Sequence, residues 1–263
     1  LSIWGTSDSN LWAIVFPNQI YHWDGLRWAL SLASGGPALY CISGLGANNL
    51  WVVGDQGTVF LGDGTIWKLQ TAPTTQALYG VYVDKPGNVW VAGNQGQIYV
   101  GDGINWTASL NDPTYGNFLS LSGVDATHIW GVTHKGNVAA WDGSVWTQTS
   151  LNTASVLSIS AQAAKNVWAA GTGSLVYRFD GTTWSQPMKL GTVNFPALNS
   201  IRAVDADTVY AVGDSGSIFK GYLGAWSQQP SPTTNTLRGI WTAPGQKTWV
   251  VGDNGTVLQQ AAP

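Results

Sequence analysis

A tryptophan returns along this chain at nearly constant spacing. Trp12, Trp51, Trp90, Trp130, Trp168 and Trp249 hold six of seven places, and Tyr210 holds the other. The intervals are 39, 39, 40, 38, 42 and 39 residues. A period of that length means a repeat architecture, and it has to be read before any single segment is. Other positions keep the same register. Nine residues before each anchor stand Ile3, Ile42, Val81, Leu121, Ile159, Ile201 and Ile240. Eight after it stand Ile20, Val59, Ile98, Val138, Val176, Ile218 and Val257.

Each unit reads as four short strands. The first is of the type LYGVYV (78–83) and the second of the type NVWVAG (88–93). Asn10, Asn49, Asn88 and Asn166 stand two residues before their anchors, where a left-handed turn residue is expected. A glycine-bounded turn (GDQG, GNQG, GDSG, GDNG) leads to the third strand. Asp-Gly then predicts a tight hairpin at Asp24-Gly25, Asp63-Gly64, Asp102-Gly103, Asp142-Gly143 and Asp180-Gly181. The fourth strand carries a second tryptophan: Trp28, Trp67, Trp106, Trp146, Trp184 and Trp226.

Four strands in about 40 residues is the signature of a β-propeller blade. A β-solenoid is the alternative, but its rungs are shorter and lack tight antiparallel hairpins. The fold class expected is all-β: a seven-bladed β-propeller of four-stranded antiparallel blades in one domain, 1–263. The blades fall at about 1–36, 37–75, 76–116, 117–154, 155–195, 196–234 and 235–263. Only the seventh unit lacks the second tryptophan, so its blade is expected to lack the outermost strand. Its third strand, around GTVLQQ (255–260), then becomes an open edge. Twelve of the 16 tryptophans belong to the two repeat series and are expected to be core staples between blades.

The pattern W-x-x-G-x-x-G-x-[IV]-x-x-x-D-G-x-x-W, as in LWVVGDQGTVFLGDGTIW (50–67), resembles BNR-like propeller repeats. It looks most like the photosystem II stability/assembly-factor type, and the likeness covers nearly the whole chain. Asp is followed directly by Gly here, whereas the Asp-box of those repeats places a spacer between them. The resemblance implies the fold. Propellers host hydrolases, lectins and scaffolds alike, so no functional residue is carried over from it.

Composition narrows the function. Eleven basic and 14 acidic residues leave a net charge of −3, with no basic stripe for nucleic acid and no polybasic membrane patch. No apolar run reaches the length of a membrane span. All 14 acidic residues are Asp, and ten of them sit in turns of the repeat or in the matching VDA turns at Asp125 and Asp205. Turn formation explains them better than the paired carboxylates of a glycosidase. A sialidase-like site would need clustered arginines, but the four present, Arg27, Arg178, Arg202 and Arg238, are scattered. His22, His128 and His134 do not form a zinc pattern, and Cys41 is the only cysteine. It is expected to pack as a small apolar residue. No catalytic, cofactor or metal residue is assigned, and the chain is read as a non-enzyme.

Function is sought where the repeats differ. Eight before the anchor, Trp4 and Trp241 replace the common small residue in blades one and seven, and Tyr82 and Arg202 do so in blades three and six. Local packing across a closure seam competes with binding there. Trp23 and Trp141 precede the Asp-Gly turn where Gly62 and Gly101 stand in other repeats. The linkers NDPTYG (111–116) and MKLGTVNFP (188–196) vary most. The candidate interaction surface is therefore Trp4, Trp241, Tyr82, Arg202, Trp23 and Trp141, together with Val257 and Leu258 on the open edge. The expected role is a protein-interaction or structural module of an extracellular, cell-surface or periplasmic assembly. A partner strand on blade seven is one way it would dock. The alternative is a carbohydrate-binding propeller, and a glycoside hydrolase stands third. NWT (105–107) and NGT (254–256) fit glycosylation sequons.

Overall fold

The second strand of each repeat is apolar on both faces, as a strand flanked on all sides must be. Asn49–Gly54 is buried from Leu50 onward, and Asn88–Gly93 from Val89 onward. The computed structural model describes residues 2–191 and 195–260. Part of the 188–196 linker and the last three residues lie outside the described residues. The fold is all-β, a seven-bladed β-propeller whose blades are consecutive antiparallel sheets. Six sheets have four strands in sequence order and the seventh has three.

Contacts divide the chain into two units, Leu1–Leu121 and Ser122–Pro263. The first holds sheets one to three. Its sheet two, for example, is built from Leu39–Gly46, Asn49–Gly54, Val59–Gly62 and Trp67–Leu69. The second unit holds sheets five to seven and most of sheet four, whose first strand, Phe118–Asp125, contains the boundary.

Within each unit the anchors sit in clusters between successive sheets. Trp12 packs with Ile42, Leu50 and Val52 of the next sheet, and Trp51 packs with Val81, Val89 and Val91. All six anchor indoles and the Tyr210 ring are buried, at 1–7% exposure. The second series departs from expectation. Only Trp146 is buried, and Trp28, Trp67, Trp106, Trp184 and Trp226 are half-buried. They lie at the outer side of their sheets, and Trp67, Trp106, Trp184 and Trp226 each set one side against a cluster while the rest reaches solvent. Trp67 spans the gap by donating Nε1–H to Ser31 Oγ (3.0 Å), and Trp106 does so to the Thr71 carbonyl (2.9 Å).

Two turn expectations are corrected. The asparagines before the anchors are not left-handed; none of the four has a positive φ. Their side chains act instead. Asn49 Oδ1 accepts from Trp51 Nε1 (3.1 Å) and Asn166 Oδ1 from Trp168 Nε1 (3.0 Å), so a polar partner meets the indole N–H as it is buried. The Asp-Gly segments are not two-residue hairpins. Trp23 pairs with Trp28 and Gly101 with Trp106, leaving four-residue loops at 24–27 and 102–105. The Asp side chain organises each loop, as where Asp102 Oδ1 accepts from the N–H groups of Ile104 (2.9 Å) and Asn105 (2.7 Å).

The two-residue turns are found between the second and third strands. There Gln56 (φ 54) and Gly57 (φ 71) are both left-handed, and Thr58 N–H closes on the Asp55 carbonyl at 3.0 Å. This is the pairing that a type I′ hairpin demands. The glycine ending W-x-x-G has another cause. A Cβ on Gly93 would stand 1.9 Å from the Ala77 carbonyl oxygen, so the chain entering the first strand leaves no room for a side chain.

Candidate interaction surface

Sheet seven consists of Leu237–Trp241, Thr248–Gly252 and Thr256–Gln260. The last strand pairs with the middle one from Gly252↔Thr256 to Thr248↔Gln260. Among the described residues it has no partner on its other side. Val257 is 44% exposed, and Thr256–Gln260 contains no buried residue. The turn before it is fixed by left-handed Asn254 and Gly255 and by a two-bonded ion pair. Arg238 Nε and Nη2 meet the Asp253 carboxylate at 3.0 and 2.9 Å. The edge is therefore held in strand geometry, with unpaired backbone groups facing outward.

The clusters show what the other sheets place there. Trp67 lies on the cluster between sheets one and two, and Trp106 on that between two and three. Trp184 lies between sheets four and five, and Trp226 between five and six. The cluster between sheets six and seven is formed by Tyr210, Val212, Ile218, Leu237, Ile240 and Val250. It has Leu258 against it and no second-series indole. Alone among these five, it lacks the aromatic side chain of an outer strand.

The other candidates are dispersed. Trp4 pairs with Trp12 across its sheet, the rings 6.2 Å apart, and is half-buried against the first cluster. Tyr82 is half-buried opposite Trp90. Trp241 is buried, 3% exposed, opposite Trp249, so its indole presents little surface. Arg202 lies on Leu198–Ala203 opposite Tyr210 and donates Nε–H to the Thr242 carbonyl at 3.2 Å. Burial lowers its pKa, and no carboxylate pairs with it among the described residues. Trp23 and Trp141 are half-buried against Trp28 and Trp146, 5.8 and 5.5 Å away. They cover the second-series indoles of their own sheets. Arg202 and Trp241 are in neighbouring sheets, but Val257 and Leu258 are the pair that shares a continuous accessible edge.

The carboxylates are engaged in turns. Asp24, Asp63, Asp102, Asp142 and Asp180 each accept two backbone N–H groups, which lowers their pKa. Asp125 falls to about 2, chiefly through the Thr127 hydroxyl and N–H and then His128. No group of three or more metal-binding side chains occurs among the described residues. His22 stacks on Trp12 at 4.5 Å and bonds Asn10 Oδ1, a packing role in which burial lowers its pKa. Cys41 is partly buried against the cluster between sheets two and three, and burial raises its thiol pKa. No helix is long and apolar enough to cross a membrane among the described residues.

The sequence reading missed one feature. The fourth strand of sheet five is only Met188–Lys189, and Trp184 lies outside it in an isolated bridge to Phe179. Pro187, which has no N–H to give a ladder, was the available signal.

No protein-family profile and no curated protein matches the sequence. Solved structures do match in fold. "YCF48 bound to D1 peptide" aligns with a TM-score of 0.80 at 16% identity, covering 100% of this chain and 91% of that one. "YCF48 from Cyanidioschyzon merolae" aligns at 0.79 and 18%, covering 99% and 94%. The WD40 repeats of RRP9 align at 0.81 and 10%, covering 97% and 87%. Identities this low establish a shared propeller fold.

Proposed function

We propose that the protein is a non-catalytic interaction module that binds an extended segment of a partner polypeptide along the outer edge of sheet seven. The observation that carries this is the exposed Thr256–Gln260 strand beside a cluster that lacks its outer indole. Strand addition supplies both missing parts, since backbone hydrogen bonds give affinity and a side-chain seat gives specificity. The other sheets specify the occupant. In sheets one to four and in sheet six the outer strand runs antiparallel and sets its tryptophan opposite the residue eleven after the anchor, as in Gly62↔Trp67 and Gly101↔Trp106. The equivalent in sheet seven is Gln260. The partner segment carries an aromatic residue opposite Gln260 and seats it toward Tyr210. A propeller of this fold, YCF48, has been solved with a peptide. The sparse charge and the polar, tryptophan-rich composition support a place in an extracellular, cell-surface or periplasmic assembly.

The chain supplies its own probe. A labelled peptide with the sequence of the sheet-three outer strand, DGINWTASLN (102–111), is expected to bind saturably in fluorescence anisotropy. Its Trp→Ala version should bind at least about tenfold more weakly. Val257→Lys, a charge on an exposed edge, should weaken both peptides. Equal binding by both peptides, or no binding, rejects the reading. Protection from hydrogen exchange of the outward-facing amides of 256–260 in the partner-free protein rejects it too, because a segment of the same chain would then occupy the edge.

A further inference from the structure

The six four-stranded sheets pair their outer strands in two different registers, and the difference bears on what fits sheet seven. In sheets one, three and five the tryptophan and the residue four after it stand opposite third-strand residues only three apart. Trp23↔Trp28 is followed by Ile20↔Leu32, Gly101↔Trp106 by Ile98↔Leu110, and Phe179↔Trp184 by Val176↔Met188. The outer strand there carries one extra residue, as in a β-bulge. In sheets two, four and six it carries none. Gly62↔Trp67 runs to Phe60↔Leu69, and the next residue, Gln70, donates its N–H to the Val59 carbonyl at 2.9 Å. Gly221↔Trp226 runs to Phe219↔Gln228, and Gln229 donates to the Ile218 carbonyl at 2.8 Å. Trp141↔Trp146 runs without interruption to Val138↔Thr149.

The third strand tells the two registers apart. Nine residues after the anchor, the bulged sheets have Tyr21, Tyr99 and Tyr177, and the regular sheets have Phe60, Ala139 and Phe219. Sheet seven has Leu258 there. Its turn agrees. Thr58, Ser217 and Thr256 lead into the third strands of sheets two, six and seven, and their N–H groups close on the Asp55, Asp214 and Asp253 carbonyls at 3.0–3.1 Å. The Ser217 and Thr256 hydroxyls bond the same carbonyls, both at 2.7 Å. Sheets two and six are therefore the guides to sheet seven. In them Thr58 and Ser217 accept from Gly54 and Gly213 of the middle strand, 3.0 Å each, while the Val59 and Ile218 carbonyls face the outer strand. Backbone groups alternate along an antiparallel strand, so in sheet seven Val257 and Gln259 carry the outward ones. Val257 also lacks its cover. Its six equivalents are 0–6% exposed, and it is 44% exposed.

We propose, resting on the reading that sheet seven accepts a partner strand, that the segment it takes pairs in the unbulged register and has the pattern aromatic-x-x-Gln or aromatic-x-x-Thr. The aromatic residue stands opposite Gln260. The third residue after it lies over Val257 and gives its N–H to the Val257 carbonyl. Gln70, Gln229 and Thr149 hold that place in the regular sheets. A glutamine suits it because the ladder stops there: the Gln70 amide turns back to the Lys68 carbonyl (2.9 Å) and the Gln229 amide to Ser227 Oγ (2.8 Å). A segment built like the bulged strands would set one residue too many against Leu258.

The outer strand of sheet two supplies the probe, DGTIWKLQTA (63–72), and backbone N-methylation reads the register. The labelled peptide is expected to bind the full-length protein saturably in fluorescence anisotropy. N-methylation at Gln70 removes the N–H aimed at Val257 and should weaken binding about tenfold. N-methylation at Thr71, whose N–H points away from sheet seven in the unbulged register, should change affinity less than about threefold. In a bulged register Thr71 would lie over Val257 instead. No loss at Gln70, or a loss at Thr71 as large as that at Gln70, overturns this register and leaves strand addition standing. Failure of the parent peptide to bind, or equal binding by its Trp67→Ala version, overturns strand addition and the register with it.

Discussion

Trp51 packs directly beneath Gly103. A Cβ built on Gly103 would stand 2.7 Å from the indole Cη2, closer than real contacts allow. Gly103 is also left-handed, at φ +97. At this place the anchor of one repeat thus requires a glycine in the Asp-Gly turn of the next. Gly103→Ala should destabilise the protein by about 2–4 kcal/mol, combining backbone strain with overpacking. Gly87→Ala isolates the strain, because Gly87 is left-handed (φ +75) with nothing within 4 Å of its Cβ position. It should cost only about 1–2 kcal/mol. Denaturant unfolding of the two variants measures the difference, and equal losses would remove the indole from the explanation.

Gln56 and Gln95 occupy left-handed backbone, φ 54 and 60, in turns where other repeats place Gly173 or Asn254. A γ-extended side chain gains nothing from that conformation. Gln56→Gly should therefore stabilise the protein, or at worst be neutral within about 1 kcal/mol, the relief of strain outweighing the added freedom of the unfolded chain. Thermal unfolding reads this directly. A loss beyond that range would show that the Gln56 side chain has a role the turn geometry does not reveal.

The repeat made the fold legible because the residues that carry it are large and buried. Trp12 to Trp249, the isoleucines and valines in register with them, and the close-approach glycines each report one place in a sheet. The missing outer strand of sheet seven was legible for the same reason. Local polar chemistry was not. Asn49 and Asn166 read as turn residues from composition, whereas their roles depend on an indole N–H two residues on, and several geometries share that spacing. Asp102-Gly103 looked like a two-residue hairpin because the dipeptide is common to both turn types, and the carboxylate capping two N–H groups emerges only in three dimensions. The break in the outer strand of sheet five was masked for another reason. Trp184 keeps its place in the series, so the repeat reads as intact while the strand around it is broken.

Arg202 places a guanidinium in a mostly buried setting, with Nε–H donated to the Thr242 carbonyl and no carboxylate partner among the described residues. Burial alone lowers its pKa. An unpaired cation of this kind costs desolvation energy that its single bond does not return. Arg202→Met, similar in length and apolar, should leave stability unchanged or raise it by about 1–2 kcal/mol. Urea unfolding tests this, and a marked loss would mean that the guanidinium has a compensating contact.

Acid should weaken the fold in a defined window. The chain has no glutamate, so the side-chain carboxylate part of its response to acid rests on aspartates. The turn carboxyls Asp24, Asp63, Asp102, Asp142 and Asp180 are depressed below their usual value by backbone N–H groups, and Asp125 falls to about 2. A carboxyl with a lower pKa folded than unfolded binds fewer protons in the native state. Its contribution is complete above the unfolded pKa of about 3.9 and disappears as the pH falls through the folded value. The melting temperature should therefore be level with respect to these groups from neutral pH to about 5 and fall between about pH 4 and 2. The carboxyl carbon of Asp125 should titrate near 2 by NMR. Asp125→Asn keeps an oxygen for the Thr127 N–H but cannot ionise, so it should flatten the lower part of the acid slope. An unchanged slope in that variant, with Asp125 titrating near 3.9, would show that the Thr127 bonds do not select the carboxylate.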